Sequence, residues 1–112
     1  MITTHVLDLA RGVPGADVHV TLEHRHASGE WTTVARGQTD QNGRLSNLTH
    51  GRTLDVGTYR LTFDTATYHR AHGIAEPFFP HVQIDFEVRD AAQHFHVPLL
   101  VSPYGYSTYR GS

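Results

Sequence analysis

Most of the chain alternates between apolar and polar residues with a period of two. In residues 17–23 the apolar side chains occupy the even positions, and residues 57–64 and 81–88 repeat the pattern. Successive side chains of a strand point to opposite faces, so this alternation predicts strands with one dry and one wet face. Half-buried strands of this kind are typical of antiparallel sheets.

Further β-rich segments extend this pattern along the chain. Strands are predicted over residues 2–9, 31–39, 94–101 and 104–109, the last two linked by a turn at Ser102-Pro103. Turn signals separate the strands at the spacing expected of a β-sandwich: Gly12-Val13-Pro14-Gly15, Ser28-Gly29, Asn42-Gly43 and Asp55-Val56-Gly57.

One segment breaks the alternation. Residues 65–72 predict a short helix that Gly73 ends. A chain of 112 residues buries enough surface for a single modest core. We therefore expect one all-β domain over residues 1–112, with one short helix.

The strand at residues 94–101 has two partly apolar faces. Its odd residues form a continuous core face, and its even residues are not simply polar: His94, His96, Pro98 and Leu100. A second apolar face on a strand indicates a second buried surface. In a domain with one core, that surface is most simply a contact with another copy of the chain.

Composition excludes several chemistries. The chain has no cysteine, and all nine basic residues are arginine, so thiolate nucleophiles, disulfides and lysine Schiff bases are excluded. No Gly-x-Ser-x-Gly, His-Glu-x-x-His or glycine-rich phosphate loop is present, and the carboxylates are expected on solvated strand faces. The net charge is −2 and the apolar runs are short, so we expect neither nucleic acid nor a membrane as partner. The lack of cysteine favours the cytoplasm.

Ten histidines remain as the conspicuous chemical feature. Histidine transfers protons near neutral pH, and His5, His94 and His96 lie on predicted strands. His94 and His96 share a strand face, a spacing that suits two ligands of a zinc ion, although no third ligand is evident. Arg44 follows the Asn42-Gly43 turn, which projects it from a sheet edge.

Five motifs together resemble the 5-hydroxyisourate hydrolase family, the transthyretin-related enzymes of urate degradation. They are Thr-His-Val-Leu-Asp at 4–8, Thr-Asp-Gln-Asn-Gly-Arg at 39–44, Phe-Phe-Pro at 78–80, His-Phe-His-Val-Pro-Leu-Leu at 94–100 and Tyr-Arg-Gly-Ser at 109–112. The resemblance covers essentially the whole chain. Tyr-Arg-Gly-Ser is the most specific motif, because the hormone-carrying transthyretins of the same fold lack it. Asn42 and Phe95 depart from the aspartate and tyrosine common in the family.

The resemblance implies a transthyretin-like, eight-stranded antiparallel β-sandwich with one short helix. It also implies a homotetramer, a dimer of dimers, with active sites in a channel between the dimers. The family's catalytic residues correspond to His5, Arg44, His96 and Ser112, and its substrate-binding residues to His5, Arg44, Tyr109 and Ser112. The implied reaction hydrolyses the ring amide of 5-hydroxyisourate to 2-oxo-4-hydroxy-4-carboxy-5-ureidoimidazoline, with no metal or cofactor.

Our hypothesis divides the chemistry among these residues. His96 and His5 act as base and acid, Arg44 stabilises charge at the attacked carbonyl, and Tyr109 and Ser112 hold the ring. The sequence leaves open which histidine accepts the proton. It also leaves two alternatives, a transthyretin-like carrier without turnover and a zinc-binding β-module that uses His94 and His96.

Overall fold

Two β-sheets pack face to face in the computed structural model, which describes all residues from 1 to 112. The elements in chain order are β1 (Ile2–Asp8), β2 (Val13–Pro14), β3 (His19–Arg25), β4 (Trp31–Gln38), β5 (Arg44–Leu45), β6 (Gly57–Phe63), α1 (Thr65–Ala71), β7 (Val82–Val88), β8 (Phe95–Ser102) and β9 (Gly105–Thr108). The first sheet has the order β2-β1-β8-β9, with β5 also paired to β1, and the second has the order β4-β3-β6-β7.

The alternating residues form the core between the sheets. Val18, Val20 and Leu22 are all buried, as the period-two pattern predicts. The odd residues of β8 are buried as well, from Phe95 to Val101. Nineteen buried side chains from both sheets and the helix join in one apolar cluster. The predicted β-sandwich is therefore confirmed.

The strand pairing differs from the prediction in detail. The structure has nine strands rather than eight because the two-residue strands β2 and β5 both pair with the outer edge of β1. All pairs are antiparallel except β1 with β8, which is parallel. Alternation reports which face a side chain occupies and carries no information on the direction of the neighbouring strand. The strand predicted from Asp17 begins at His19, because Asp17 has a φ of 62°, outside the β region.

The single helix lies within one residue of its predicted bounds. The Asp64 carboxylate caps it by accepting a hydrogen bond from the Thr67 backbone N–H at 3.2 Å, and Gly73 follows with a φ of 88°. Tyr68 on its buried face donates a hydrogen bond to Asp8 Oδ2 at 2.6 Å, which ties the helix to β1. Burial and this contact raise the pKa of Tyr68 to about 12. The expectation that the carboxylates lie on solvated faces is thus wrong for Asp8, which is buried.

No helix of the structure has the length and apolar character needed to cross a membrane.

Candidate active site

The outer face of the first sheet carries both histidines expected in the site. In β1 the even residues face the core, so the odd residues Thr3, His5 and Leu7 face outward. The parallel register of β1 with β8 pairs Thr3 with His96, and His5 with Pro98. Paired residues share one face of a sheet, so His5 and His96 lie diagonally on the same surface.

Arg44 joins this surface from the other side of β1. It pairs directly with His5 in the β1–β5 register, so the two side chains lie side by side on the outer face. The turn before Arg44 is fixed by Asp40 Oδ1, which accepts hydrogen bonds from the backbone N–H of Asn42 at 2.8 Å and of Arg44 at 3.0 Å. The structure thus supports the expected projection of Arg44 from a sheet edge.

Gly43 lets this turn lie directly against β1. Its φ is 75°, and a Cβ atom at this position would lie 2.4 Å from the backbone oxygen of Val6. The Val6 N–H donates to the Gly43 oxygen at 2.7 Å, which joins the two segments next to His5. A glycine is required here because only it tolerates both this conformation and this close approach.

The C-terminal motif reaches the same surface along β8. The antiparallel register of β8 with β9 pairs Leu99 with Thr108, and it continues to an isolated bridge between His96 and Gly111. In this register Tyr109 lies opposite Pro98, in the row that also contains His5 and Arg44. Tyr109 is 57% exposed, so its ring is accessible to a ligand.

Arg110 points to the opposite side of this segment and anchors it. Its guanidinium carbon lies 4.7 Å from the centroid of the Phe95 ring, and its Nη2 donates a hydrogen bond to Gln93 Oε1 at 3.0 Å. The next residue, Gly111, packs on the imidazole of His96: a Cβ atom there would lie 2.5 Å from His96 Cδ2. Anchoring by Arg110 therefore holds the chain against the side of His96.

Ser112 lies beyond Gly111 at the border of the site. It lines a shallow cleft together with Gln93, His94 and Arg110. His96 does not line this cleft. The structure thus brings His5, Arg44, His96 and Tyr109 onto one surface and leaves Ser112 at its margin, next to His94.

Hydrogen bonds leave one ring nitrogen available on each of the two central histidines. His96 Nδ1 lies 2.8 Å from the Thr3 hydroxyl, so Nε2 is the nitrogen available to a ligand. His5 Nε2 lies 3.0 Å from the backbone oxygen of Asn42, which only accepts hydrogen bonds, so His5 donates from Nε2 and keeps Nδ1 available.

The surroundings of His96 favour its neutral form. Burial lowers the pKa of His96 below its ordinary value of 6.5, and the positive charges of Arg44, His94 and His5 lower it further. An imidazole that is neutral near pH 7 and has a free nitrogen accepts a proton from water, which is the chemistry of a general base.

The hypothesis that His94 and His96 bind zinc finds no third ligand within this chain. No group of three or more histidine, cysteine, aspartate or glutamate side chains is arranged to hold a metal ion. The rings of His94 and His96 lie 6.3 Å apart between centroids, and a nitrogen of each contacts the same Thr3 hydroxyl. Both nitrogens are therefore directed at a hydroxyl group rather than at a common open position.

Sequence reasoning missed Thr3 and Asp40, the two side chains that orient the site. Asp40 had a local signal, because an aspartate two residues before Asn-Gly often accepts hydrogen bonds from the turn it begins. Thr3 had none. Its outward position in an alternating strand predicts exposure, yet Thr3 is only 5% exposed in the structure.

Comparison with known proteins assigns the chain to a family. The model of the HIUase/Transthyretin family matches residues 2–111. A 5-hydroxyisourate hydrolase of Caulobacter vibrioides is 50% identical over 99% of this chain and 97% of its own length. A probable 5-hydroxyisourate hydrolase of Caenorhabditis elegans is 44% identical over 99% of this chain and 81% of its own length.

Solved structures agree with this assignment. Sea bream transthyretin in complex with thyroxine superposes with a TM-score of 0.91 at 31% identity, over 98% of this chain and 93% of the transthyretin chain. The sequence motifs, the sandwich topology and the full-length matches all lead to the same assignment. The chain belongs to the HIUase/Transthyretin family.

Proposed function

We propose that this chain is an enzyme that hydrolyses the ring amide of 5-hydroxyisourate to 2-oxo-4-hydroxy-4-carboxy-5-ureidoimidazoline. The observation that carries the proposal is the placement of His5, Arg44 and His96 on one surface, with a neutral imidazole nitrogen available on His96. Family members 40% to 50% identical to this chain bear the name of this hydrolase, which supports the same function.

We assign each residue a role in the proposed reaction. Water that attacks a ring carbonyl loses a proton, and His96 Nε2 is placed to accept it. The guanidinium of Arg44 stabilises the negative charge that develops on the carbonyl oxygen. His5, the neighbour of Arg44, donates to the leaving nitrogen or binds the ring. Tyr109 and Ser112 hold the substrate at the edge of the site, and this scheme uses no metal or cofactor.

A turnover assay tests the proposal directly. The substrate decays spontaneously, so it is generated in the cuvette from urate by an oxidase, and its absorbance is followed with and without the protein. We expect the protein to accelerate the loss of 5-hydroxyisourate in proportion to its concentration. A rate equal to the spontaneous rate at all protein concentrations would contradict the hydrolase function.

The pH profile tests the role of His96. A base acts only when unprotonated, so kcat/KM should fall as the pH drops through the pKa of His96. Because burial and nearby positive charges lower that pKa, we expect the midpoint of the acid limb below 6.5. Circular dichroism at each pH verifies that the protein stays folded. A midpoint above 6.5 is incompatible with His96 as the base.

A carrier function is the second candidate. It is favoured by the sea bream transthyretin structure, which contains thyroxine and shares the fold closely. A carrier binds its ligand without converting it, whereas His96 with an available nitrogen beside Arg44 has the parts for hydrolysis. The same assay therefore decides between the two functions.

We further propose that the chain assembles as a homotetramer, a dimer of dimers. Leu7 and Leu100 are paired on the outer face beside the site, and both side chains are only partly buried in the single chain. The edge strands β7 and β9 also end their sheets without a neighbour. A second copy that covers this face buries the leucines and encloses the site between subunits.

Substitution of Leu100 by glutamate tests this assembly. An unpaired charge in the contact between subunits is strongly unfavourable, so we expect Leu100→Glu to lower the oligomeric state measured by light scattering. The fold of each subunit should persist, because the core uses the odd residues of β8. Thr33→Glu, on an exposed position of β4, is the control and should leave the assembly unchanged. An intact tetramer for Leu100→Glu would contradict the proposed contact.

Domain organisation and environment complete the proposal. One domain over residues 1–112 is supported by the apolar cluster that draws on both sheets. A cytoplasmic location is supported by the lack of cysteine, and the net charge of −2 gives no attraction to nucleic acid or anionic membranes.

A further inference from the structure

The hydroxyl group of Thr3 lies between two imidazole rings. Its Oγ1 is 2.8 Å from His96 Nδ1 and 2.8 Å from His94 Nε2. Thr3 is only 5% exposed, whereas His94 is exposed to solvent. The row His96–Thr3–His94 therefore runs from the candidate base to the protein surface through one buried hydroxyl.

A hydroxyl has one proton, which limits how this row is bonded when both rings are neutral. If Thr3 donates to His94 Nε2, it accepts from His96 Nδ1–H, and His96 Nε2 is then a free base. If Thr3 donates to His96 Nδ1, His96 carries its proton on Nε2 and acts as an acid instead. The direction of the Thr3 hydroxyl thus decides which proton-transfer role His96 has.

We propose that Thr3 and His94 are positioning residues that set the tautomer of His96 and pass a proton from it to the surface during hydrolysis. The inference deepens the proposed function and rests on it. In the resting state the Thr3 hydroxyl donates to His94 Nε2 and accepts a hydrogen bond from His96 Nδ1–H. His96 Nε2 then carries no proton and is free for the attacking water. Neither residue touches the substrate; both act through His96.

The row His96–Thr3–His94 acts as a proton relay, and over the whole reaction its three side chains neither gain nor lose a proton. The attacking water gives a proton to His96 Nε2 as its oxygen bonds to the ring carbonyl carbon. His96 gives its Nδ1 proton to Thr3 Oγ1, and Thr3 gives its original hydroxyl proton to His94 Nε2. His96 is then neutral with its only proton on Nε2. As the amide bond breaks, the two transfers through Thr3 reverse and return a proton to His96 Nδ1 while His96 donates its Nε2 proton to the leaving ring nitrogen. The imidazole therefore keeps one proton throughout, and the resting state is restored.

The charges around His96 make such a relay useful. His5 lies on β1, the strand paired with that of His96, Arg44 lies on β5 on the far side of β1, and His94 precedes His96 by two residues; all three disfavour a positive charge on His96. A positive charge that stayed on His96 would be repelled by Arg44 and by the positive form of His5. Transfer through Thr3 places that charge on His94, which is solvated, and leaves His96 neutral beside Arg44.

Two nearly isosteric substitutions test the relay. Thr3→Val keeps the shape of the side chain and removes the hydroxyl. Thr3→Ser keeps the hydroxyl and removes the methyl group. We expect kcat to fall about ten- to a hundredfold in Thr3→Val, with little change in KM. In Thr3→Ser we expect kcat to stay near the wild-type value. A merely structural role would not give this pattern, because Val fills the site of Thr3 better than Ser does.

His94→Phe tests the other end of the row. Phe keeps the aromatic ring and removes the acceptor, so Thr3 should turn its hydroxyl towards His96 Nδ1. Nitrogen-15 NMR of the histidine side chains then reports a proton on His96 Nε2, whereas the resting wild-type protein carries it on Nδ1. The expected loss in kcat is of the same size as in Thr3→Val.

These readouts separate failure of the relay from failure of the proposed function. Wild-type turnover with unchanged kcat in both Thr3→Val and His94→Phe overturns the relay and leaves the hydrolase function intact. Absence of wild-type turnover overturns the function and with it the relay as a catalytic device. If Thr3→Val does not fold, His94→Phe decides alone, since its side chain lies at the surface: a wild-type tautomer and rate overturn the relay.

Discussion

Replacement of His96 by alanine is expected to lower kcat at least a hundredfold. A positioned general base contributes about 10²–10⁴ in rate, and His96 Nε2 is the available nitrogen of the imidazole that the structure keeps neutral. Arg44→Ala should cause a similar loss for a different reason. It removes the group that stabilises the developing oxyanion, an effect of about 10²–10³.

Matched controls distinguish these losses from general destabilisation. His81 and Arg89 are exposed side chains outside the surface that carries His5 and His96, so His81→Ala and Arg89→Ala should retain the wild-type kcat. The four variants are compared at equal folded concentration, measured by circular dichroism. Wild-type kcat in His96→Ala would show that another group accepts the proton, and the assignment of His96 would have to be withdrawn.

The faces of the strands could be predicted from the sequence because side-chain direction follows directly from a period of two. The odd residues of β8 illustrate this, since Phe95, Val97, Leu99 and Val101 are all buried as predicted. The neighbours of each strand could not be predicted this way. The pairing of β1 with β8 and with β5 joins segments far apart in the chain, and the two-residue strands β2 and β5 are too short to show an alternation.

The site likewise combines residues that could be identified from the sequence with an arrangement that could not. Resemblance to the family singled out His5, Arg44, His96, Tyr109 and Ser112, and the family assignment itself is confirmed by the comparisons. The orientation of their side chains could not be predicted from the sequence. Thr3 is separated from His96 by 93 positions, and only the register of β1 with β8 places its hydroxyl next to the ring. Likewise, no pattern in the chain predicts that Gly111 packs on His96 while Arg110 turns towards Phe95.

Deletion of Tyr109 to Ser112 is expected to reduce turnover to the spontaneous rate. It removes Tyr109 from the row of His5 and Arg44, and it removes the backbone of Gly111 from the side of the His96 ring. Without this cover His96 is more solvated, so burial lowers its pKa less, and the ring also loses the contact that limits its orientation. The core should persist, because none of the deleted residues belongs to the buried apolar cluster.

Point substitutions show which part of the deleted segment matters. Tyr109→Phe removes one hydroxyl, worth about 0.5–1.5 kcal/mol as a hydrogen bond, and should raise KM several-fold with little change in kcat. Tyr104→Phe is the control, since Tyr104 is 77% exposed in the β8–β9 turn and its hydroxyl makes no contact with the site. If the truncated protein stays folded and tetrameric and still turns over 5-hydroxyisourate at the full rate, then the C-terminal motif takes no part in hydrolysis. Full-rate turnover would still exclude a carrier without turnover, so the roles assigned to Tyr109 and Ser112 would be withdrawn and the hydrolase function would rest on His5, Arg44 and His96 alone.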